Sequence, residues 1–320
     1  MTYTIDQKSR RWGALFGQAI GDSLGIRDEF LHPSVIAKAG RDRLQYVPSS
    51  RNGDSEFQAG EWSDDTEQAL CLLQSYVDDR EIVPTTVAKH LLDWLERDGR
   101  GCGSHTLMML NDPVFSLNPI ACSQDAWERS GQHSAANGAV MRVSVIGTLR
   151  PNDLDWTEKA AATSARITHY DPRCVASSVA VAIAIAMLIQ GHTIQDAIKE
   201  AGIRASAIHP ESIKYMNMSL EEMNLSEGLI PGKWNMKSKI GYTYKTLGAG
   251  FWALRNLTET KDFGKSLDPI LAAGGDVDTN AAVAGALLGA ALGLTQMPPY
   301  LIQGIREHDK LMTLAKQAWA

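Results

Sequence analysis

The stretch Ala-Gly-Gly-Asp-Val-Asp-Thr-Asn-Ala-Ala at 273–282, continued by Val-Ala-Gly-Ala-Leu-Leu-Gly-Ala-Ala-Leu-Gly, leaves a fold few options. From about 280 to 294 the residues are small and apolar on every side, as in a helix packed deep in a core. Yet Asp276 and Asp278 stand at its mouth with Thr279 beside them, and Gly274 and Gly275 lead in. Glycines let the backbone take turn conformations denied to other residues. Ionised carboxylates at a buried helix end are costly unless paired or metal-bound, and the helix N-terminus offsets part of that cost. Hard cations take several oxygen ligands, which closely spaced carboxylates supply. Two other readings compete. Asp278 caps the helix, or Asp-x-Asp-Thr is a phosphatase nucleophile motif. That motif ends an apolar strand near the N-terminus, whereas here it follows Gly-Gly late in the chain, so the phosphatase reading is set aside.

Between 10 and 25, Trp12, Leu15, Phe16, Ala19, Ile20 and Leu24 recur at helical spacing. Gly13, Gly17, Gly21 and Gly25 fall every four residues and draw a flat stripe that lets another helix approach closely. Close core packing is their expected use. Asp22, Asp28 and Glu29 put acids at the C-terminal end of this helix, the wrong end for its dipole, so compensation is expected from elsewhere. Residues 32–60 read as irregular, punctuated by Pro33, Pro48, Gly53 and Gly60.

A second acidic start follows. Gly60-Glu61-Trp62-Ser63-Asp64-Asp65-Thr66-Glu67 opens a helix that runs on through Gln-Ala-Leu-Cys-Leu-Leu-Gln-Ser-Tyr-Val. A capping box fits, with Asp64 as N-cap and Glu67 three residues on. Ser-Asp-Asp-Thr nevertheless supplies more oxygen ligands than a cap can use, and it mirrors the Asp-x-Asp-Thr near the other end of the chain. The two starts together suffice for a dinuclear magnesium or manganese site; two independent caps are the alternative.

Elsewhere the signals are weaker. An amphipathic helix at 85–97 ends in Asp98-Gly99-Arg100-Gly101-Cys102-Gly103, where Gly101 and Gly103 either let backbone amides approach an anion or simply stop the helix. Asn137-Gly138 is a turn feeding a helix start, which offers amides to a phosphate or is an ordinary turn. Residues 158–190 read as two helices broken at Thr168-His169-Tyr170-Asp171-Pro172, with a structural His169. Patterns weaken at 204–238, and Lys233, Lys237 and Lys239 read as a solvated loop. A helix resumes at 241–254, its aromatics more often core than ligand platform, and 298–320 is a Pro-started helical tail. With no alternating strand pattern, repeat or linker, the expectation is one all-α domain over 1–320.

Composition narrows the class. A chain of 320 residues, 44% hydrophobic and 21% charged, can bury a large core as an ordinary globule. A net charge of −6 argues against a general nucleic-acid or acidic-membrane binder. Cys71, Cys102, Cys122 and Cys174 show no paired spacing and read as reduced thiols. The N-terminus lacks the apolar segment of a signal peptide, so a cytoplasmic protein is expected. The longest apolar run, 174–189, falls short of the roughly 20 residues that span a bilayer and reads as a buried helix.

Taken together, five segments resemble the ADP-ribosylglycohydrolase family in its own order. They are the glycine-striped helix ending in Glu29-Phe30, Trp-Ser-Asp-Asp-Thr at 62–66, Asn-Gly-Ala-x-Met-Arg at 137–142, Thr-His at 168–169 and Gly-Gly-Asp-x-Asp-Thr-x-Ala-Ala at 274–282. The resemblance implies a compact helical bundle around two Mg2+ or Mn2+ ions, held by Ser63, Asp64 and Asp65 from one side and by Asp276, Asp278 and Thr279 from the other. It implies catalytic work by Glu29, Asp64 and Asp65. Asn137, Gly138, Ala139 and Met141 would hold pyrophosphate and ribose, His169 would lie near the substrate, and Tyr242 would stack on adenine. One departure stands out. Where nitrogenase-regulating members carry an Asp-Ile-Gly triplet, this chain has Gly101-Cys102-Gly103, so the leaving group takes its proton from Glu29, a metal-site aspartate or water. The implied activity is removal of ADP-ribose from a modified protein side chain, arginine first. Serine-linked or O-acetyl ADP-ribose is the variant, a non-catalytic ADP-ribose- or partner-binding protein the alternative, and the monomer the expected state.

Overall fold

The computed structural model describes residues 6–51, 55–231 and 239–320. The small-residue helix, Val277–Leu292, forms the axis, with almost every side chain buried. Against it lie the first helix (Gln7–Gly25), Thr243–Thr260, Phe263–Ala272 and Pro172–Gln190. The contact with the first helix is backbone on backbone. A Cβ added at Gly13 would lie 2.1 Å from the Gly289 carbonyl oxygen, one at Gly17 2.0 Å from that of Gly285, and one at Gly21 1.9 Å from that of Ala281. At Gly25 it would meet the Asp278 Cα at 2.3 Å. The stripe is therefore packing, as the sequence suggested, and it runs the C-terminal end of one helix into the acidic start of the other.

Pro172–Gln190 begins with proline in its first turn, capped by Asp171, and ends at the left-handed Gly191. By length and apolarity this 19-residue helix could cross a membrane, but 89% of its apolar window is buried inside the protein. The break before it falls where expected, between Leu154–Arg166 and Pro172. Helices Ile194–Ile208 and Ser212–Asn217 flank a groove of about 550 Å³ that Arg255 and Thr258 also line.

Several expectations are corrected. Residues 32–60 are not simply irregular: they hold the helix Pro33–Ala39 and an antiparallel pair, Ser49–Arg51 with Ser55–Phe57. Strands of three residues are too short to display alternation, and Phe57 alone supplies a buried apolar side chain. Helices Ser104–Leu110 and Pro119–Arg129 went unread. The residues after Asn137-Gly138 form turns, and the following helix starts only at Ser144. The tail is two helices, Pro299–Gly304 and His308–Trp319. Lys233 and Lys237 lie outside the described residues, whereas Lys239 pairs with Glu227 at 3.2 Å. All four cysteines are free thiols.

Gly17→Ala or Gly285→Ala should destabilise the protein by at least about 2 kcal/mol, because a methyl against a backbone carbonyl forces the two helices apart. Gly202→Ala has space, with its nearest neighbour 3.8 Å from the new Cβ. It should be neutral or stabilising by up to about 1 kcal/mol. Denaturant midpoints of the three variants test the contact; equal losses would refute it.

Candidate metal centre

Three chain segments converge on one spot. The Asp64–Asp79 helix starts with Ser63 in the N-cap position, Asp64 and Asp65 in its first turn. The capping-box expectation fails here. Asp64 is inside the helix, the Ser63 side chain makes no cap bond, and Glu67 turns away to Trp62 Nε1, Arg97 and Lys310. The Ser63 hydroxyl donates instead to Asp22 at 2.8 Å and to Asp65 at 3.2 Å. Asp22 also accepts from Ser63 N at 2.9 Å, Thr66 N at 3.0 Å and Thr66 Oγ1 at 2.7 Å. So the acid at the wrong end of the first helix is compensated by the right end of another.

Glu29 comes from the turn after the first helix. Phe30 N donates to Gly275 O at 2.8 Å and Gly275 N to Leu31 O at 3.1 Å, pinning this turn beside Asp276. Gly274 and Gly275 take φ of 67° and 84°, and a Cβ on either would strike a carbonyl oxygen, Leu31 at 2.4 Å or Leu225 at 2.2 Å. Phe30 shares the left-handed region at φ 61°, which costs an L-residue about 1–2 kcal/mol. As a result Glu29, Asp276 and Asp278 each present a carboxylate oxygen within 4.8 Å of the others.

The electrostatics of this cluster point to a cation. Burial and Asp278 push Asp22 up to about 6, against the pull of its Ser63 and Thr66 donors. Asp65 is pushed well above the carboxylate range by burial, then by Asp22, Asp278, Asp64 and Asp276. Its Oδ1 is buried without a hydrogen-bond partner. A buried carboxylate oxygen left without a donor, surrounded by like charges, fits coordination to a hard divalent ion better than any internal bond. The all-oxygen donor set selects magnesium, calcium or manganese over zinc.

Beside the acids lies a second set of residues. Asn137 Nδ2 donates to Asp276 Oδ2 at 2.8 Å and to Thr246 Oγ1 at 3.0 Å. A Cβ on the adjacent Gly138 would lie 2.8 Å from His169 Cε1 and 3.0 Å from its Nε2. His169 is buried, its Nε2 without a partner, and its ring lies 4.5 Å from that of His105. Tyr242 is half-buried before the Thr243–Thr260 helix, edge-on to Tyr215 and Tyr244, with the Arg173 guanidinium 5.9 Å over its ring.

Over residues 4–320 the chain matches the ADP-ribosylglycohydrolase family. It belongs to that family. It is 27% identical over 332 residues to ADP-ribosylarginine hydrolase Tri1 of Pseudomonas putida, covering 99% of this chain and 80% of that protein. To ADP-ribosylhydrolase ARH3 of Gallus gallus it is 28% identical over 347 residues, covering 95% and 90%. A solved ADP-ribosylglycohydrolase-related protein complex shares the fold, with TM-score 0.73, 23% identity and 98% of both chains covered.

In this ADP-ribosylglycohydrolase Glu29, Asp276 and Asp278 meet, with Asp64 and Asp65 within electrostatic reach. Asp276 occupies the N-cap position without a side-chain cap bond, and Asp278 accepts from Thr279 N at 2.9 Å. Other residues sit differently. The Asn137 amide supports Asp276. The side chains of Ala139 and Met141 are buried, so any contact with a ligand would come through their backbone. Gly101 takes φ 85°, and Gly103 faces open space before the Ser104–Leu110 helix. Cys102 between them is pushed up to about 12 by burial and Asp64, which rules out a thiolate nucleophile at neutral pH.

Three residues were given no role at the site by the sequence reading: Asp22, noted there only as an acid needing compensation, Arg142, noted only as part of a motif, and Gln68. Asp22 sits between Gly21 and Gly25 on the stripe, so an acid on the packing face was the available signal. Gln68 Nε2 donates to Asp64 at 3.3 Å, and Gln68 Oε1 accepts from the fully buried Arg142 at 2.7 Å.

Asp65 yields a test whose sign is fixed by linkage. A carboxyl with a raised folded pKa supports the metal-free fold at low pH and loses that support as pH rises through the folded value. In chelator, therefore, Asp65→Asn should gain stability relative to the parent between about pH 5 and 8. With magnesium or manganese the parent should gain melting temperature and the variant should not. A variant that keeps the ion-dependent shift would remove Asp65 from the metal site.

Proposed function

We propose that this enzyme is a divalent-metal-dependent hydrolase that releases ADP-ribose from a modified protein side chain, with arginine the first candidate and two magnesium or manganese ions as cofactor. One observation carries the reading above others. Acidic starts of two helices far apart in sequence share a buried spot with Glu29, beside an edge formed by Gly138 and His169. The similarity to the ADP-ribosylarginine hydrolase of Pseudomonas putida supports arginine as the side chain.

The chemistry suits the residues. Cleaving a glycosidic bond to ribose builds oxocarbenium character at the anomeric carbon. Divalent ions bound by Asp64, Asp65, Asp276 and Asp278 would supply a grip on the ribose hydroxyls and a lowered pKa for water. Glu29, held by the Phe30–Gly275 pairing, would exchange a proton with the attacking water or the leaving nitrogen. No carboxylate is available at 101–103 for that task. The ADP half reacts with nothing and contributes orientation through remote contacts, with Tyr242 assigned to adenine.

Incubation with arginine-, serine- and O-acetyl-linked ADP-ribose should show release from the arginine adduct that requires magnesium or manganese. Asp278→Asn should abolish it. Full turnover in chelator would sink the metal reading, and binding without release would favour a binding protein. Glu29→Gln should slow release by about a hundredfold to ten-thousandfold while affinity for ADP-ribose changes far less.

Tyr242→Ala separates a ligand platform from a core aromatic. Stacking of a base on an aromatic ring is worth about 1–3 kcal/mol, so ADP-ribose should bind about five- to a hundredfold more weakly. Turnover at saturation should fall much less. A lowered melting temperature with undiminished affinity would return Tyr242 to its cluster with Tyr215 and Tyr244.

A further inference from the structure

Arg142 is a fully buried guanidinium and, like every arginine, has donors and no acceptor. Its terminal nitrogens donate to Gln68 Oε1 at 2.7 Å and to Thr168 Oγ1 at 2.6 Å. Thr168 Oγ1 also lies 2.8 Å from His169 Nδ1. The hydroxyl has a single proton. With a second lone pair it could also accept from an Nδ1–H, but its own proton would then have no acceptor among the described residues, whereas donation to Nδ1 satisfies it. Burial, with His105 and Arg142 close by, holds His169 well below the usual histidine range, so the ring is neutral. Its one proton therefore resides on Nε2.

Nε2 is the atom without a partner. It is buried and hydrogen-bonds to nothing among the described residues. Gly138 keeps the space before it clear, since a Cβ there would lie 3.0 Å from Nε2. His105 does not compete for this space. One of its ring nitrogens contacts the Thr168 carbonyl at 2.9 Å and the other the Ser134 hydroxyl at 3.1 Å.

We propose that Arg142 and Thr168 are positioning residues that fix His169 as its Nε2–H tautomer, so that it offers a donor to an acceptor oxygen of the bound ADP-ribosyl group. A buried donor with no internal partner is costly, and a ligand oxygen relieves that cost. The reverse tautomer would point a lone pair at the same oxygen and repel it. Arg142 disfavours the reverse tautomer: its N–H occupies one side of Thr168 Oγ1, which leaves the threonine proton with Nδ1 as its acceptor. The identity of the ligand rests on the proposed function; the tautomer does not.

The test uses the full chain labelled with 15N at histidine and a two-bond proton–nitrogen correlation spectrum. His169 should show a protonated Nε2 and an unprotonated Nδ1. Thr168→Val keeps the shape and removes the hydroxyl, and should give mixed tautomers. Free ADP-ribose should then bind about three- to tenfold more weakly by calorimetry, as the competent fraction falls. Thr168→Ser should restore both. A wild-type ring protonated on Nδ1, or on both nitrogens, overturns the proposal with no variant needed, so a Thr168→Val chain that fails to fold does not shield it. A single Nε2–H tautomer with unchanged affinity in Thr168→Val overturns it equally. If the wild-type chain does not bind ADP-ribose, the proposed function falls, while the spectrum still decides the tautomer.

Discussion

The contact of Gln7–Gly25 with Val277–Leu292 governs everything built upon it. Reciprocal glycines, Gly13 with Gly289 and Gly17 with Gly285, remove the side chains that normally hold two helices apart. Ordinary helix pairs pack at about 8–10 Å, and backbone touching backbone requires the low end of that range. The consequence appears at the far end of the pair. Gly25 rests on Asp278, so Asp22, less than one helical turn earlier, is within electrostatic reach of the metal-side acids. A wider helix pair would separate these charges and, with them, the two halves of the site.

Such proximity of carboxylates needs restraint before any ion binds. Part of it comes from the starts of Asp64–Asp79 and Val277–Leu292, whose backbone donors face the cluster. Thr66 and Ser63 each give Asp22 a backbone and a hydroxyl donor, and Thr279 N serves Asp278. Asp65 has an oxygen with no donor among the described residues, and burial and its acidic neighbours push it well above its usual range. Stability and function diverge at this residue. The arrangement is poor for a folded apo-protein and good for a cation, as with strain stored at functional sites generally.

Much of this was legible in the sequence because it rests on short-range spacing. Asp-x-Asp-Thr after Gly-Gly, Ser-Asp-Asp-Thr before an apolar run and glycine every fourth residue each speak within ten residues, and all three sit where they were expected. What could not be read depends on partners distant in the chain. Asp22 looked like an anomaly because its donors are on another helix. Asp64 looked like a cap because local sequence cannot reveal that Ser63 bonds across to Asp22. The short strands at 49–57 and the helix Ser104–Leu110 lacked enough residues for a period to register. Asn137 was read for its backbone turn, whereas its amide nitrogen is engaged by Asp276 and Thr246.

Arg142 brings the two sides of the site under one constraint. A permanent positive charge at full burial is expensive, and burial draws its pKa down to about 10. A direct pair with Asp64 would be the simple remedy, but it would commit that carboxylate to a guanidinium and set it in competition with a divalent ion. Gln68 resolves the conflict. Its carbonyl takes the Arg142 donor at 2.7 Å and its amide passes a longer bond of 3.3 Å to Asp64. Gln68 thus stands between guanidinium and carboxylate, and Arg142 still feels Asp64 through space. The other terminal nitrogen of Arg142 donates to Thr168 Oγ1 and, at 3.4 Å, to the Ser164 carbonyl, while Nε has no partner among the described residues. The same side chain thereby sets the direction of the hydroxyl proton on the His169 side. Lysine could not do both tasks, since a point charge on a flexible stem lacks the planar fork that reaches Gln68 and Thr168 at fixed angles.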